Sequence, residues 1–190
     1  MTIHFNKEYK TLFGEQLVLN IQKEDEELKF PMTTLNGERW SFDWCVEQPA
    51  KVYTYYYSVE RDGRVLKTEW LLVKHRLELN ATKADEFTLY DSWKVIPEDA
   101  YLYSSAFTDC INHQAPEELA MQNCAKTVRL IVRAPQLRDG ERLGVVGADN
   151  VLGAWNAEKM LKMTQDTFHE WVAAVAAVHV QPADLEFLFG

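Results

Sequence analysis

The sequence predicts an all-β protein made of two antiparallel β-sandwiches. Three observations support this fold class. Apolar and polar residues alternate with period 2 in several short segments, these segments are rich in Val, Leu, Tyr and Trp, and turn signals such as "LNGE" and "RDGR" separate them. The alternation stops at residue 91 and returns at residue 127. We therefore expect a first sandwich at residues 1–90, an ordered connector at 91–126 and a second sandwich at 127–190.

The strands of the first sandwich are predicted from three stretches: "TLFGEQLVLN", "ERWSFDWCVE" and "KVYTYYYSVERDGRVLKTEWLLVKHRLEL". In "WSFDW" the alternation places Trp40, Phe42 and Trp44 on one face of a strand, with Ser41 and Asp43 on the other. Three aromatic side chains on one face indicate a buried face, so we expect them in the core.

The connector has prolines, polar residues and little periodicity. It is too aromatic for a free flexible linker. We expect it to lie over the first sandwich, anchored by Trp93, Tyr101 and Phe107, with a short helix at residues 117–121.

The second sandwich is predicted from "TVRLIVRAP", "RLGVVGA", "EWVAAVAAVHV" and "LEFLF". These four or five strands are few for a complete sandwich, and the chain stops within an apolar alternation. A terminal apolar edge strand favours aggregation. We therefore expect the second sandwich to be truncated and the chain to be a fragment of a longer protein.

Composition excludes some partners. The formal charge of −9 and the pI near 5.1 disfavour nucleic acids and anionic membranes, which need clustered Lys and Arg. No signal peptide is recognisable and no apolar run approaches the roughly 20 residues that span a bilayer, so we expect a cytoplasmic protein. The cysteines, Cys45, Cys110 and Cys124, are odd in number, so at least one thiol is free.

Familiar catalytic and cofactor motifs are missing from the sequence. "GVVGADNVLG" lacks the G-x-G-x-x-G pattern of dinucleotide loops. The histidines lack zinc spacing, and the acidic "KEDEEL" lacks the glycine of a calcium loop, so we expect a solvated loop there. No G-x-S-x-G motif and no marked pair of carboxylates stand out. We expect no cofactor, no metal and no catalytic activity from these residues.

Trp155 stands out because it lies in a predicted turn, "NVLGAW". A planar indole can lie against the apolar face of a pyranose ring while the hydroxyl groups of the sugar remain hydrogen-bonded at its rim. Alternatively, Trp155 folds back and caps the sandwich. Both interpretations remain open at this level.

The second half resembles the starch-binding domains of carbohydrate-binding module family 20. Their pattern is a strand ending in V-x-G, then L-G-x-W, a short apolar pair, W-x-A-x-V and an E-Y-K-F strand. It matches residues 145–147, 152–155, 160–163, 171–175 and 186–189. The resemblance implies immunoglobulin-like β-sandwiches of the starch-binding-domain type.

The first half resembles the same family more distantly, and it lacks L-G-x-W. The order of the two domains and the connector "SSAFTDCI" are similar to the N-terminal region of the 4-α-glucanotransferases whose catalytic barrel belongs to glycoside hydrolase family 77. That resemblance implies a non-catalytic region that binds α-1,4-glucan (starch, glycogen or maltooligosaccharide), with the barrel of the same polypeptide following Gly190.

The binding residues of the family map unevenly onto the second sandwich. Trp155 matches the L-G-x-W tryptophan, but Leu188 stands where the family has a lysine, and the second tryptophan of the clamp would lie beyond Gly190. At the other family site, Asp139 replaces an aromatic residue. The resemblance therefore implies half of one sugar clamp.

In the first sandwich, the resemblance implies three candidate sugar contacts. The lysine position of the family falls on Thr54 or Tyr56, Trp70 is near its closing tryptophan, and Phe13 matches the aromatic residue at the start of its first strand. Tyr56, Trp70 and Phe13 join Trp155 as the predicted carbohydrate-binding residues. Two alternatives remain: sandwiches that have lost sugar binding and serve structure or oligomerisation, or a glycan-sensing module of another enzyme.

Overall fold

The computed structural model describes residues 1–23, 26–47, 52–79, 85–98, 100–103, 126–134, 137, 140–167, 170–180 and 185–189. The chain divides into two compact units, Met1–Ile96 and Pro97–Gly190. The described residues of the first unit form short strands, and those of the second form short strands and brief 3-10 turns, so the predicted all-β fold is confirmed. No helix within the described ranges is long and apolar enough to cross a bilayer.

The first unit contains two facing sheets. Its strands are β1 (Thr2–Glu8), β2 (Gln16–Lys23), β3 (Glu26–Pro31), β4 (Thr33–Thr34), β5 (Arg39–Cys45), β6 (Val52–Arg61), β7 (Arg64–Thr68), β8 (His75–Glu78) and β9 (Glu86–Asp91). One sheet has the order β4-β5-β1-β9, and β1 pairs with β9 in parallel. The other has the order β3-β2-β6-β7, and β8 pairs with the beginning of β6.

Alternating side chains of both sheets form one aromatic core. Phe5 of β1 and Trp40 of β5 pack with Leu19 of β2 and Tyr55 of β6, and the predicted Phe42 and Trp44 border the same cluster. The Asp62-Gly63 turn, with φ of 50° and 74°, closes the β6–β7 hairpin as the "DG" signal predicts.

Two local predictions for the first unit are wrong. Glu26 and Glu27 of "KEDEEL" lie in β3 rather than in a loop, because Glu26 pairs with Lys23 across the hairpin and opposite charges suit an exposed strand pair. The first strand is β1, and "TLFGEQ" is the turn after it. The inward positions of β1 read Ile3, Phe5 and Lys7, so a buried lysine hides the apolar alternation.

The second unit contains two three-stranded sheets. After a 3-10 turn at Ala100–Tyr103, its elements are β10 (Thr127–Arg133), β11 (Leu143–Gly147), 3-10 turns at Asn150–Trp155 and Ala157–Lys159, β12 (Leu161–Lys162), β13 (Thr164–Thr167), β14 (Glu170–Ala176), a 3-10 turn at Ala177–His179 and β15 (Leu185–Phe189). The orders are β10-β14-β13 and β12-β11-β15. Leu143 of β11 and Trp171 of β14 share one buried cluster, so the sheets pack together.

Part of the predicted connector lies within the described residues. Trp93 packs on the core of the first unit, with its ring centroid 4.2 Å from that of Tyr9. Tyr101 lies in a short 3-10 turn and is 62% exposed, and its role as an anchor stays a prediction. Phe107 and the helix predicted at 117–121 lie outside the described residues, as do Cys110 and Cys124. Cys45 is an exposed free thiol.

Candidate functional site

The turn that carries Trp155 is a hydrogen-bonded loop at the end of β11. All five residues of β11 are buried, and the chain leaves the sheet after Gly147. Asp149 caps the following 3-10 turn, since its Oδ1 accepts a hydrogen bond from the Val151 N–H at 2.8 Å. A carboxylate at this position satisfies an amide that has no partner within the turn. We call residues 149–160 the tryptophan loop.

The middle of the tryptophan loop has an unusual backbone. Gly153, Ala154 and Trp155 have φ of 81°, 48° and 62°. Such left-handed values cost a non-glycine residue about 1–2 kcal/mol, so surrounding contacts must hold them. The Ala154 N–H donates to the Asp149 carbonyl at 3.0 Å, and the Asn156 N–H donates to the Gly153 carbonyl at 2.9 Å. These bonds fix the chain on both sides of the turn.

The underside of the tryptophan loop packs against the protein. Leu152 is fully buried in a cluster with Val145 and Val175. A Cβ atom added to Gly153 would lie 2.7 Å from the Lys159 carbonyl oxygen, so the two ends of the loop are in close backbone contact. Only glycine fits there, and the backbone just before the tryptophan is therefore closely constrained.

Trp155 itself is 50% exposed. None of the described residues stacks on its ring or hydrogen-bonds its indole N–H. Its neighbours Asn156, Glu158 and Lys159 are exposed, and the Asn156 Oδ1 accepts the Glu158 N–H at 2.9 Å, which orients that amide. The loop thus presents an apolar plane beside amide, carboxylate and ammonium groups.

A histidine braces the loop from a different element. His179 ends the 3-10 turn Ala177–His179, and its Nδ1 lies 3.0 Å from the Asp149 Oδ2. The Val151 N–H, and next the contact with His179, lower the pKa of Asp149 below its ordinary value. Asp149 is therefore ionised at neutral pH and uses both carboxylate oxygens.

Phe13 is fully exposed on the turn between β1 and β2. The Thr11 N–H donates to the Gly37 carbonyl at 2.9 Å and joins this turn to the β4–β5 loop, on which Leu35 is also fully exposed. The predicted contact residue therefore lies on a tip with other apolar side chains rather than in a strand.

Tyr56 lies on the outer face of the second sheet of the first unit. Its hydroxyl donates to the Glu27 Oε1 at 2.9 Å, and the Lys74 Nζ lies 5.6 Å from its ring centroid. Partial burial and then the hydrogen bond to Glu27 raise the pKa of Tyr56 to about 12. The hydroxyl and the ring are thus already engaged within the protein.

Trp70 lies where the edge partner of β6 changes from β7 to β8. The backbone N–H of Trp70 donates to the Lys94 carbonyl at 3.1 Å, and its side chain is partly buried.

Phe13 lies beside the end of β6, whereas Tyr56 lies within that strand. The Arg61 Nη2 donates to the Phe13 carbonyl, and Tyr56 is five residues before Arg61 on the same strand. That spacing corresponds to about 16 Å along a strand, so Phe13 and Tyr56 do not form a common site.

The first unit contains a buried polar cluster that no sequence motif predicts; we call these residues, Lys7, Glu69, His75 and Asp91, the charge cluster. The Lys7 Nζ donates to the Glu69 Oε1 at 2.8 Å. The two ring nitrogens of His75 lie 3.0 Å from the Glu69 Oε2 and 3.3 Å from the Asp91 Oδ1. The Lys7 ammonium and the His75 ring thus both contact the Glu69 carboxylate, and His75 also contacts Asp91.

Hydrogen bonds complete the charge cluster. The Tyr57 N–H donates to the Glu69 Oε2 at 3.0 Å, and the hydroxyls of Tyr55 and Tyr57 donate to the Asp91 Oδ2 at 2.9 and 2.8 Å. These groups are largely shielded from solvent, and their mutual contacts tie together the strands that carry them. One signal was present: Lys7 and Asp91 occupy inward positions of alternating strands.

No protein-family profile matches this sequence, and no curated protein matches it. Solved structures with some likeness include a glycoside hydrolase family 15 glucoamylase from Hypocrea jecorina, 17% identical over 50% of this chain, with a TM-score of 0.43. Another is a type I pullulanase from Bacillus subtilis complexed with maltose, 14% identical over 90%, with a TM-score of 0.24. The chain spans 17% and 19% of their lengths. At these values the likeness defines neither the fold nor the function of this chain.

Proposed function

We propose that the tryptophan loop binds α-glucan by stacking a glucose ring on Trp155. The observation that carries this proposal is a half-exposed indole held on a closely constrained backbone with left-handed φ. Non-glycine residues keep such a strained backbone only where the surrounding structure holds it, and they cluster at functional sites, where the strained conformation positions a side chain for its ligand.

Sugar is the ligand class that suits this surface. The indole plane covers the C–H face of a pyranose, and Asn156, Glu158 and Lys159 can hydrogen-bond hydroxyl groups at its edge. The L-G-x-W resemblance favours an α-1,4-linked glucan over other polysaccharides. A single shallow contact gives weak binding, with a Kd on the order of tens of micromolar to millimolar.

A structural role is the second candidate function, and it applies to the first unit. There Glu27 and Lys74 already engage Tyr56, and the Trp70 side chain is partly buried with its backbone tied to Lys94. We infer that the first unit contributes less to sugar binding than the second. With the family resemblance, the parent protein would be a cytoplasmic 4-α-glucanotransferase, and these units would hold glucan for its barrel.

Calorimetric titration with maltoheptaose tests the proposal. We expect binding by the wild-type protein and at least a tenfold weaker Kd for Trp155→Ala, because the indole loses about 1.5 kcal/mol or more of apolar burial. Tyr90→Ala is the matched control, since Tyr90 is also an exposed aromatic residue, and it should bind like the wild type.

Equal affinity of the wild type and Trp155→Ala would sink the proposal. Cellohexaose, a β-1,4-linked glucan of the same sugar, should not compete with maltoheptaose. A competing cellohexaose would retain sugar binding but overturn the α-linkage.

A further inference from the structure

Asp149 accepts hydrogen bonds from three backbone N–H groups of the tryptophan loop and also contacts His179. Its Oδ1 accepts the Val151 N–H at 2.8 Å, and its carbonyl oxygen accepts the N–H groups of Leu152 and Ala154, each at 3.0 Å. Its Oδ2 faces His179 at 3.0 Å. One residue therefore organises the turn that precedes Trp155 and ties it to a second element.

The second element is itself well anchored. The Ala177 N–H, at the start of the turn that ends in His179, donates to the Lys126 carbonyl at 3.0 Å. Val180, the residue after His179, packs on the cluster that also buries Leu152. His179 thus reaches Asp149 from a fixed position.

The left-handed φ of Ala154 and Trp155 need such support. Neither alanine nor tryptophan favours this region of backbone space, unlike glycine or asparagine. Without the Asp149 cap, a return to ordinary φ would relieve this strain and turn the indole away from its present direction.

We propose that Asp149, braced by His179, is the positioning residue that holds Trp155 in its ligand-ready orientation. This inference rests on the proposed sugar-binding role of Trp155. Neither Asp149 nor His179 needs to touch the sugar, since they act through the backbone of the loop.

Amide hydrogen exchange in the absence of glucan tests the positioning directly. For Asp149→Ala we expect exchange at Val151 and Ala154 to be faster by about tenfold, the usual effect of losing a cap. Asp149→Asn keeps an oxygen acceptor for Val151 and should rescue most of the protection. Exchange at Val172 in β14 should not change, which separates a local effect from unfolding of the unit.

Maltoheptaose titration is the second readout. We expect Asp149→Ala to weaken Kd about tenfold and His179→Ala about two- to fivefold, the range of a partly exposed side-chain pair. Asp43→Ala is the matched control, because Asp43 makes a similar exposed pair with His4 at 2.7 Å in the first unit. It should leave both the loop exchange and Kd unchanged.

The outcomes separate the two proposals. Faster loop exchange in Asp149→Ala, in a protein that binds no glucan, supports positioning and overturns the sugar-binding role. Unchanged exchange overturns the positioning role, whatever the affinity is. If Asp149→Ala does not fold, His179→Ala decides the matter by the same two measurements.

Discussion

Each unit contains an energetically costly feature, which is buried in the first unit and lies at the surface in the second. The first unit buries the charge cluster, in which the side chains of Lys7 and Glu69 are fully shielded from solvent. The second unit has left-handed Ala154 and Trp155 in a surface loop. Both arrangements cost free energy, and both are surrounded by contacts that hold them.

The difference indicates what each unit is built for. Buried charges that are fully paired can select one arrangement of strands, and the charge cluster joins β1, β6, β8 and β9 with the residues after β7. The strained backbone beside the exposed Trp155 raises the free energy of the folded state, and it selects no arrangement of strands. We therefore expect changes in the charge cluster to affect mainly stability, and replacement of the exposed Trp155 side chain to affect mainly binding.

The largest effect should come from Lys7→Met. The change removes the ammonium group that pairs with the fully buried Glu69 carboxylate, and breaking a buried pair in this way costs about 3–5 kcal/mol. Denaturant-dependent amide exchange should show this loss in the first unit and none in the second. Lys10→Met, which removes an exposed pair with Glu38, should cost less than about 0.5 kcal/mol. Equal costs would show that the charge cluster contributes no more than a surface pair.

Gly153→Ala should be next, with a cost of about 2–4 kcal/mol from left-handed φ plus overpacking. Its new Cβ would meet the Lys159 backbone at 2.7 Å. Gly140→Ala is a matched control in the same unit, since Gly140 has φ of 87° but no described residue beyond its chain neighbours lies within 4 Å of an added Cβ. It should cost only about 1 kcal/mol. Thermal unfolding gives the difference, and equal shifts in Tm would exclude the close contact.

The first unit should lose stability as the pH falls. Burial alone raises the pKa of Glu69, but the hydrogen bond and charge of His75, with Lys7, lower it below 4.5. Burial also raises the pKa of Asp91, but the hydrogen bond and charge of His75, with the hydrogen bonds from the Tyr57 and Tyr55 hydroxyls, outweigh it. The pKa of Asp91 is therefore lowered below its ordinary value of 3.8.

Because both carboxyls stay ionised to lower pH in the folded state, their contribution is full at neutral pH and decreases below about pH 4.5. Amide exchange between pH 6 and pH 2 should therefore show the first unit opening more steeply than the second. A parallel loss in both units would contradict this effect of the charge cluster.

Phe13→Ala should have the smallest effect on folding. Its ring is fully exposed, so the free energy of unfolding should change by no more than about 0.5 kcal/mol. If Phe13 contacts sugar, the Trp155→Ala protein should lose its residual affinity for maltoheptaose on adding Phe13→Ala. A clear drop in Tm would show instead that the exposed tip supports the fold.

Much of the fold follows from local patterns. The period-2 segments, the aromatic face of Trp40, Phe42 and Trp44, and the Asp62-Gly63 hairpin turn are set by neighbouring residues, so one sequence shows them. The missed strand β1 shows the limit. Its inward Lys7 is acceptable only because Glu69 is beside it, and that partner is 62 residues away.

The candidate site was predictable only as a tryptophan in a turn. The left-handed φ of Ala154 and Trp155 could not be predicted, because neither residue type favours it and distant contacts impose it. In the first unit, the equivalence of Tyr56 to a family lysine gave no sign that Glu27 would occupy its hydroxyl, since the two lie 29 positions apart.

The pairing of β1 with both β5 and β9 has a consequence for how the first unit folds. Thr2 of β1 lies opposite Cys45 of β5 on one side and opposite Glu86 of β9 on the other. These two partners of Thr2 are about forty positions apart in the sequence. During synthesis, β1 can pair with β5 early, but the edge for β9 stays open until residue 91 has left the ribosome. Contacts of such long sequence separation form slowly. The emerging chain therefore has an exposed strand edge for a defined interval, and it is most prone to aggregate during that interval.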